Sequence, residues 1–168
     1  IDYYINLPLI NNGKRTAKNC IPILFSIFNK NSDNGWEEIR NWIPLPLQWA
    51  ADEREWEDAI IAQQVYPKTG RAERNIKPNR PYFFNLGKFY VRRDINQVCY
   101  LELLTFPKLK AQTNEYYEGH YCYKVMIIAE EIEPLVRYCY LKWRCDCIPP
   151  TKPEIIIWEI EDNPPNMT

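Results

Sequence analysis

The sequence predicts an α+β domain: a mainly antiparallel sheet of about five strands over residues 82–160, curled or barrel-like as a variant, with helices from the N-terminal half. Three observations lead there. From residue 82 onward, aromatic and β-rich segments are separated by connections too short for parallel crossovers. Residues 50–66, AADEREWEDAIIAQQVY, hold strong helix formers and no Gly or Pro. Residues 135–147, LVRYCYLKWRCDC, separate at period two into a Cys-Leu-Trp-Cys-Cys face and a Tyr-Tyr-Lys-Arg-Asp face, the signature of a half-buried strand.

The elements follow in order. The first 50 residues are rich in Asn and Pro, with turn signals at Asn12-Gly13 and Asn34-Gly35. Between them IPILFSIF, residues 21–28, reads as a short buried strand. Residues 36–42 are expected to form a short helix behind Ser32 or Asp33, stopped by Pro44 and Pro46. In the helix over 50–66, Trp49, Trp56, Ile60 and Gln63 share one face, and the DEREWED heptad places net charge −4 near the N-terminus, where carboxylates oppose the helix dipole. These carboxylates read as a solvated helical face ahead of a metal site. Pro67 and Gly70 end the element.

Residues 68–80, KTGRAERNIKPNR, form a basic connection of net charge +4, able to track phosphates, to meet an acidic partner or to answer the acidic helix. No phosphate-cradling glycine loop is present in it. The five predicted strands then cover residues 82–92, with Gly87 as a bulge or bend, 98–106, 121–129, 135–147 and 155–160. Asp94 to Asn96 turn the first hairpin, and Pro149, Pro150 and Pro153 set off the last strand.

Composition sets the limits. A 168-residue chain with 46% hydrophobic residues fits one core, read as a single domain over 1–162 with a linker-like tail over 163–168. Net charge −1 removes the compositional argument for a dedicated nucleic-acid or membrane-surface protein. No secretory signal and no long apolar span stand in the sequence, so the accompanying expectations are no membrane and a cytoplasmic location.

Chemistry is sparse. Six cysteines, at 20, 99, 122, 139, 145 and 147, include no Cys-x-x-Cys pair, and they read first as reduced buried thiols. A looser metal site from His120, Cys122, Cys145 and Cys147 is the alternative weighed, and the expectation is no metal and no cofactor. His120 is the sole histidine; a His120–Cys122 nucleophilic pair, or Asp94 and Glu102 with Lys108 as a nuclease centre, are the catalytic options, and neither matches a strict pattern. Enzymatic activity, with phosphodiester cleavage as its form, ranks third.

Binding ranks higher. If the thiol face of 135–147 is core, Tyr138, Tyr140, Lys142 and Arg144 point outward, beside Tyr90 and Arg92 if the first predicted strand is a neighbour. Lys68, Arg71 and Arg74 of the basic connection complete the candidate surface. The first reading is a non-catalytic protein-interaction domain of a larger polypeptide, its partner another protein or another domain of the same chain. The runner-up is a single-stranded nucleic-acid-binding module, since interleaved aromatics and bases stack nucleobases and neutralise phosphates.

Overall fold

The computed structural model describes residues 3–51, 73–91, 99–105, 107–108, 113–145 and 153–167. In chain order its strands are β1 (Tyr3–Ile10), β2 (Ala17–Lys30), β3 (Trp36–Glu38), β4 (Leu45–Pro46), β5 (Gln48–Trp49), β6 (Arg74–Ile76), β7 (Pro81–Val91), β8 (Cys99–Leu103), β9 (Glu115–Tyr116), β10 (Gly119–Ala129), β11 (Ile132–Arg144) and β12 (Glu154–Glu161). They make two antiparallel sheets. One has five strands in the order β1-β7-β8-β9, with β5 also on β7; the other has seven in the order β12-β11-β10-β2-β3, with β4 and β6 also on β2.

This overturns the α+β expectation: the described residues are all-β and contain no helix. The helix expected over 50–66 falls on residues outside those described, apart from Ala50 and Ala51, which are not helical. The short helix expected over 36–42 is replaced by β3, paired with the end of β2 through Phe28↔Glu38, Asn29↔Glu37 and Lys30↔Trp36. The reason lies in the residues taken for an N-cap. Asn31 Oδ1 accepts hydrogen bonds from the backbone N–H groups of Asp33 and Gly35 at 3.1 and 2.8 Å, and Asn34 sits at φ 61°, so the segment closes a hairpin. Ser, Asp and Asn serve turns and helix caps by the same side-chain hydrogen bonds, and pairing with β2 decided between them.

The five strands expected after residue 82 are present as β7, β8, β10, β11 and β12, but they are divided between the sheets. Gly87 adjoins a bulge, for β1 and β7 pair as Ile5↔Gly87 and then Asn6↔Asn85, leaving Leu86 over. The sequence reading missed β1, where Leu7 is buried, Tyr3, Ile5 and Leu9 are half-buried, and Tyr4, Asn6, Pro8 and Ile10 are exposed. Its proline is tolerated because β1 is an edge strand.

Three segments turn corners from one sheet to the other. β4 pairs with β2 and β5 with β7, while Leu47 between them is fully buried and donates its N–H to Pro22 O at 2.7 Å. β6 leads from β2 into β7, and β9 leads from β8 into β10. Strands that switch sheets in this way close the ends of a sandwich and bring it toward a barrel. The core lies between the sheets: Leu7, Phe84, Phe89 and Leu101 from one meet Leu24, Tyr123, Leu141 and Trp143 from the other. The thiol face of the 135–147 segment is core as far as it is described, with Cys139, Leu141 and Trp143 at most 1% exposed and Cys145 half-buried.

Candidate functional site

Period two on β10 and β11 puts His120, Cys122 and Lys124, with Tyr138, Tyr140 and Lys142, on the face of the seven-stranded sheet that points away from the core. That outer face builds a second, smaller core. Phe28, Trp36, Cys122 and Tyr138 are all buried there, with Val136 and Tyr140 packed on them. The Trp36 ring meets His120 edge-on at 4.9 Å and Tyr140 at 5.5 Å, and Lys30 lies over it at 5.7 Å. Such contacts add about 0.5–1.5 kcal/mol per aromatic pair to simple burial.

The end of the chain returns across this face. Tyr140 donates its hydroxyl to Asn163 O at 3.3 Å, Pro165 is buried, and Met167 forms an isolated parallel bridge with Trp36. Beyond Trp36 lies an open cleft of about 730 Å³, walled by residues 36–42 and Met167.

Of the candidate binding residues, Tyr138 is buried, Tyr140 is half-buried and bonded to the returning chain, and Lys142 is exposed. Arg144 is exposed and paired with Glu154 at 2.7 Å. Tyr90 belongs to the other sheet, so it does not join them. It stacks on Tyr100 at 5.4 Å with Lys88 over its ring at 4.7 Å, and Lys88 also lies over Tyr4. Arg74 donates to Ala50 O and lies over the Tyr82 ring, which Arg80 also approaches. Arg92, Lys68 and Arg71 lie outside the described residues.

The catalytic and metal candidates are not brought together. His120 and Cys122 share the outer face, whereas Cys145 packs against the core; Cys147 lies outside the described residues. Among the described residues no three His, Cys, Asp or Glu side chains gather as a metal site. Glu102 is paired with Lys108, and Asp94 is outside the described residues. Burial pushes the thiols of Cys99, Cys122 and Cys139 up to about 12 and raises that of Cys20, which makes them poor nucleophiles at neutral pH.

His120 titrates in the opposite sense. Burial, then the charges of Lys30 and Lys142, lower it below the ordinary 6.5, and its Nε2 is buried without a protein partner. Between the folded and unfolded values the unfolded chain binds more protons, so stability from this site is full above about pH 6.5 and is lost as pH falls through the folded value. The melting temperature is expected to drop between about pH 7.5 and about pH 5, and to drop less in His120→Gln. Parallel pH curves for the two proteins would refute this.

The sequence reading placed a strand at 155–160 without seeing its position. β12 is the terminal strand of the seven-stranded sheet. Its register with β11 pairs Trp143 with Ile155 and Cys139 with Ile160, so these isoleucines face the core side. Yet Trp143 and Cys139 are 1% exposed while Ile155 and Ile160 are 40% and 42% exposed. Among the described residues, the cover over Trp143 and Cys139 does not extend to Ile155 and Ile160, and β12 overhangs. Ile156, at the bulge in this pairing, is 44% exposed. The signal available in the sequence was EIIIWEIE, an apolar run with glutamates at both ends and none of the basic residues that usually protect an edge.

Among the described residues no helix is long and apolar enough to cross a membrane. Comparison with protein-family models, with curated proteins and with solved structures finds no match for this chain.

Proposed function

We propose that this chain is a non-catalytic protein-interaction domain that receives an extended segment of a partner along the edge of β12 that no described strand pairs. The observation that carries it is the overhang: an eight-residue terminal strand whose Ile155, Ile156 and Ile160 are each 40–44% exposed. An unpaired edge offers a row of backbone donors and acceptors, and strand addition satisfies them while covering the apolar ledge. Glu154, Glu159 and Glu161 set the partner's chemistry. A second copy would oppose carboxylates to carboxylates, so the favoured segment alternates apolar residues with Lys or Arg. Among the described residues, Cys20, Cys99, Cys122 and Cys139 are buried and in no disulfide, which accords with a reducing, cytoplasmic setting.

The nucleic-acid reading retains support from one feature, the Tyr4, Lys88, Tyr90 and Tyr100 row on the outside of the five-stranded sheet. One experiment separates the two. Labelled eight-residue peptides alternating Val with Lys or Val with Glu, and an oligothymidine strand, are titrated into the protein, with hydrogen exchange followed at β12. The Val-Lys peptide is expected to bind and protect β12 amides, and Ile155→Lys with Ile160→Lys to weaken it at least about tenfold. Equal binding of the Val-Glu peptide, or no protection of β12 at saturation, rejects the proposal. Oligothymidine binding that fades with salt favours the second reading instead.

A further inference from the structure

We infer that the aromatic platform of Trp36, His120 and Tyr140 is a binding site for an extended, proline-containing peptide, and that residues 163–167 of this chain are its intramolecular occupant. The site is separate from the β12 edge, and the inference does not rest on that edge being used.

The length of the returning segment supports an extended ligand. It is tied to β11 at Asn163, through the Tyr140 hydroxyl, and to β3 at Met167, through Trp36. Between β11 and β3 lie β10 and β2, so the segment crosses three interstrand spacings. At about 4.8 Å each, these amount to roughly 14 Å. The Tyr140 side chain, whose hydroxyl holds Asn163, bridges part of that distance, and four residue steps of at most about 13–14 Å cover the rest when the chain is extended. Pro164 and Pro165 hold it so: each proline locks its own φ and keeps the preceding residue in the extended region. An extended proline segment carries little conformational entropy to lose, which is why aromatic surfaces capture such segments.

The platform suits that ligand. Trp36 and Tyr140 are held edge to face at 5.5 Å and pack with the buried Phe28, Cys122 and Tyr138, so the rings are fixed before anything sits on them. Tyr140 presents a hydroxyl donor to a backbone carbonyl, which reads the backbone of the ligand without selecting a side chain. Pro165, between the two anchors in sequence, is buried, whereas Asn163, Pro164 and Asn166 are exposed, so the second proline is the one that packs against the protein. The cleft walled by residues 36–42 and Met167 adjoins the second anchor and has room for further ligand residues.

An occupant on a short tether competes at an effective concentration in the millimolar range. A free peptide of the same sequence, with an intrinsic Kd of some tens of micromolar, would therefore bind the native chain about 10–100-fold more weakly than its intrinsic affinity. The test uses fluorescence polarisation of a labelled peptide copying residues 160–168, IEDNPPNMT, and a control with both prolines replaced by alanine. In the full chain, Pro164→Gly with Pro165→Gly unseats the occupant and is expected to raise peptide affinity about 10–100-fold. Pro165→Gly alone, which replaces the buried proline of the tethered segment while the peptide keeps its own, is expected to raise it several-fold and serves if the double variant folds poorly. Trp36→Ala added to either variant should abolish binding. Equal affinity in the native chain and the variants, or equal binding of the alanine control, overturns the inference. Neither result touches the isoleucines of β12, so the edge proposal stands or falls by its own peptides.

Discussion

Trp143→Ala is expected to lower the unfolding free energy by about 3–5 kcal/mol, for Trp143 is the largest of the fully buried side chains described. The ring is 1% exposed, comes from β11 of the seven-stranded sheet, and meets Phe89 of β7 in the five-stranded sheet at 4.9 Å and 69°. It therefore joins the two sheets directly. Truncation removes its transfer free energy and leaves a cavity between two sheets whose paired strands cannot close over it. One contribution runs the other way, because Nε1 of Trp143 is buried without a protein partner and its removal relieves a desolvation cost of about 1–3 kcal/mol. Trp143→Phe keeps most of the apolar volume and discards that donor, so it should cost far less than alanine. For domains of typical stability, about 5–15 kcal/mol, the alanine variant should lose roughly a fifth or more of its denaturation midpoint. A midpoint near that of the parent would mean that Trp143 does not join the sheets.

Gly87→Ala is expected to cost about 1–3 kcal/mol through overpacking, although it adds one carbon. A Cβ at this position would lie 2.8 Å from Glu102 O and 2.8 Å from Leu101 Cδ1. The leucine can shift; the carbonyl cannot, because Gly87 and Leu103 are register partners and the β7–β8 ladder fixes that backbone. Relief requires the two strands to part, which weakens the ladder from Gly87↔Leu103 to Val91↔Cys99. The usual gain from replacing glycine in a strand is absent here. Thermal unfolding of Gly87→Ala beside Gly13→Ala checks the point. At Gly13 the close neighbour is only the Asn11 side chain, at 3.0 Å, so a much smaller loss is expected.

Much of the strand content was legible, and the reason is local. Residues 82–92, 98–106, 121–129, 135–147 and 155–160 carry β-branched and aromatic residues between turn formers, and β7, β8, β10, β11 and β12 lie within a few residues of these bounds. Their division between two sheets was not legible. A connection short enough for a hairpin is also short enough for a corner, as at Tyr117 and Glu118 between β9 and β10, and only long-range pairing with β2 or β8 distinguishes the two. In the N-terminal half the reading failed where one residue type serves two structures. Ser32 and Asp33 read as a helix start, and Asn31 made them a turn.

The candidate surface was half legible for the same reason. Alternation in 135–147 assigned Tyr138, Tyr140, Lys142 and Arg144 to one face and Cys139, Leu141 and Trp143 to the other, and the structure keeps that sorting. Alternation carries no information about what covers each face. Tyr138 is buried on the outer side by Phe28, Trp36 and Cys122, residues close to it only through β2, β3 and β10. Ile155 and Ile160 stay 40% and 42% exposed on the inner side, although their β11 partners Trp143 and Cys139 are covered.

By itself, then, the sequence determined which side chains share a face of a strand, because that follows from backbone geometry repeating every two residues. Tertiary structure decided which faces meet water. Burial depends on segments distant in the chain, such as Asn163–Met167 crossing to Trp36, and their approach is set by the free energy of the whole fold.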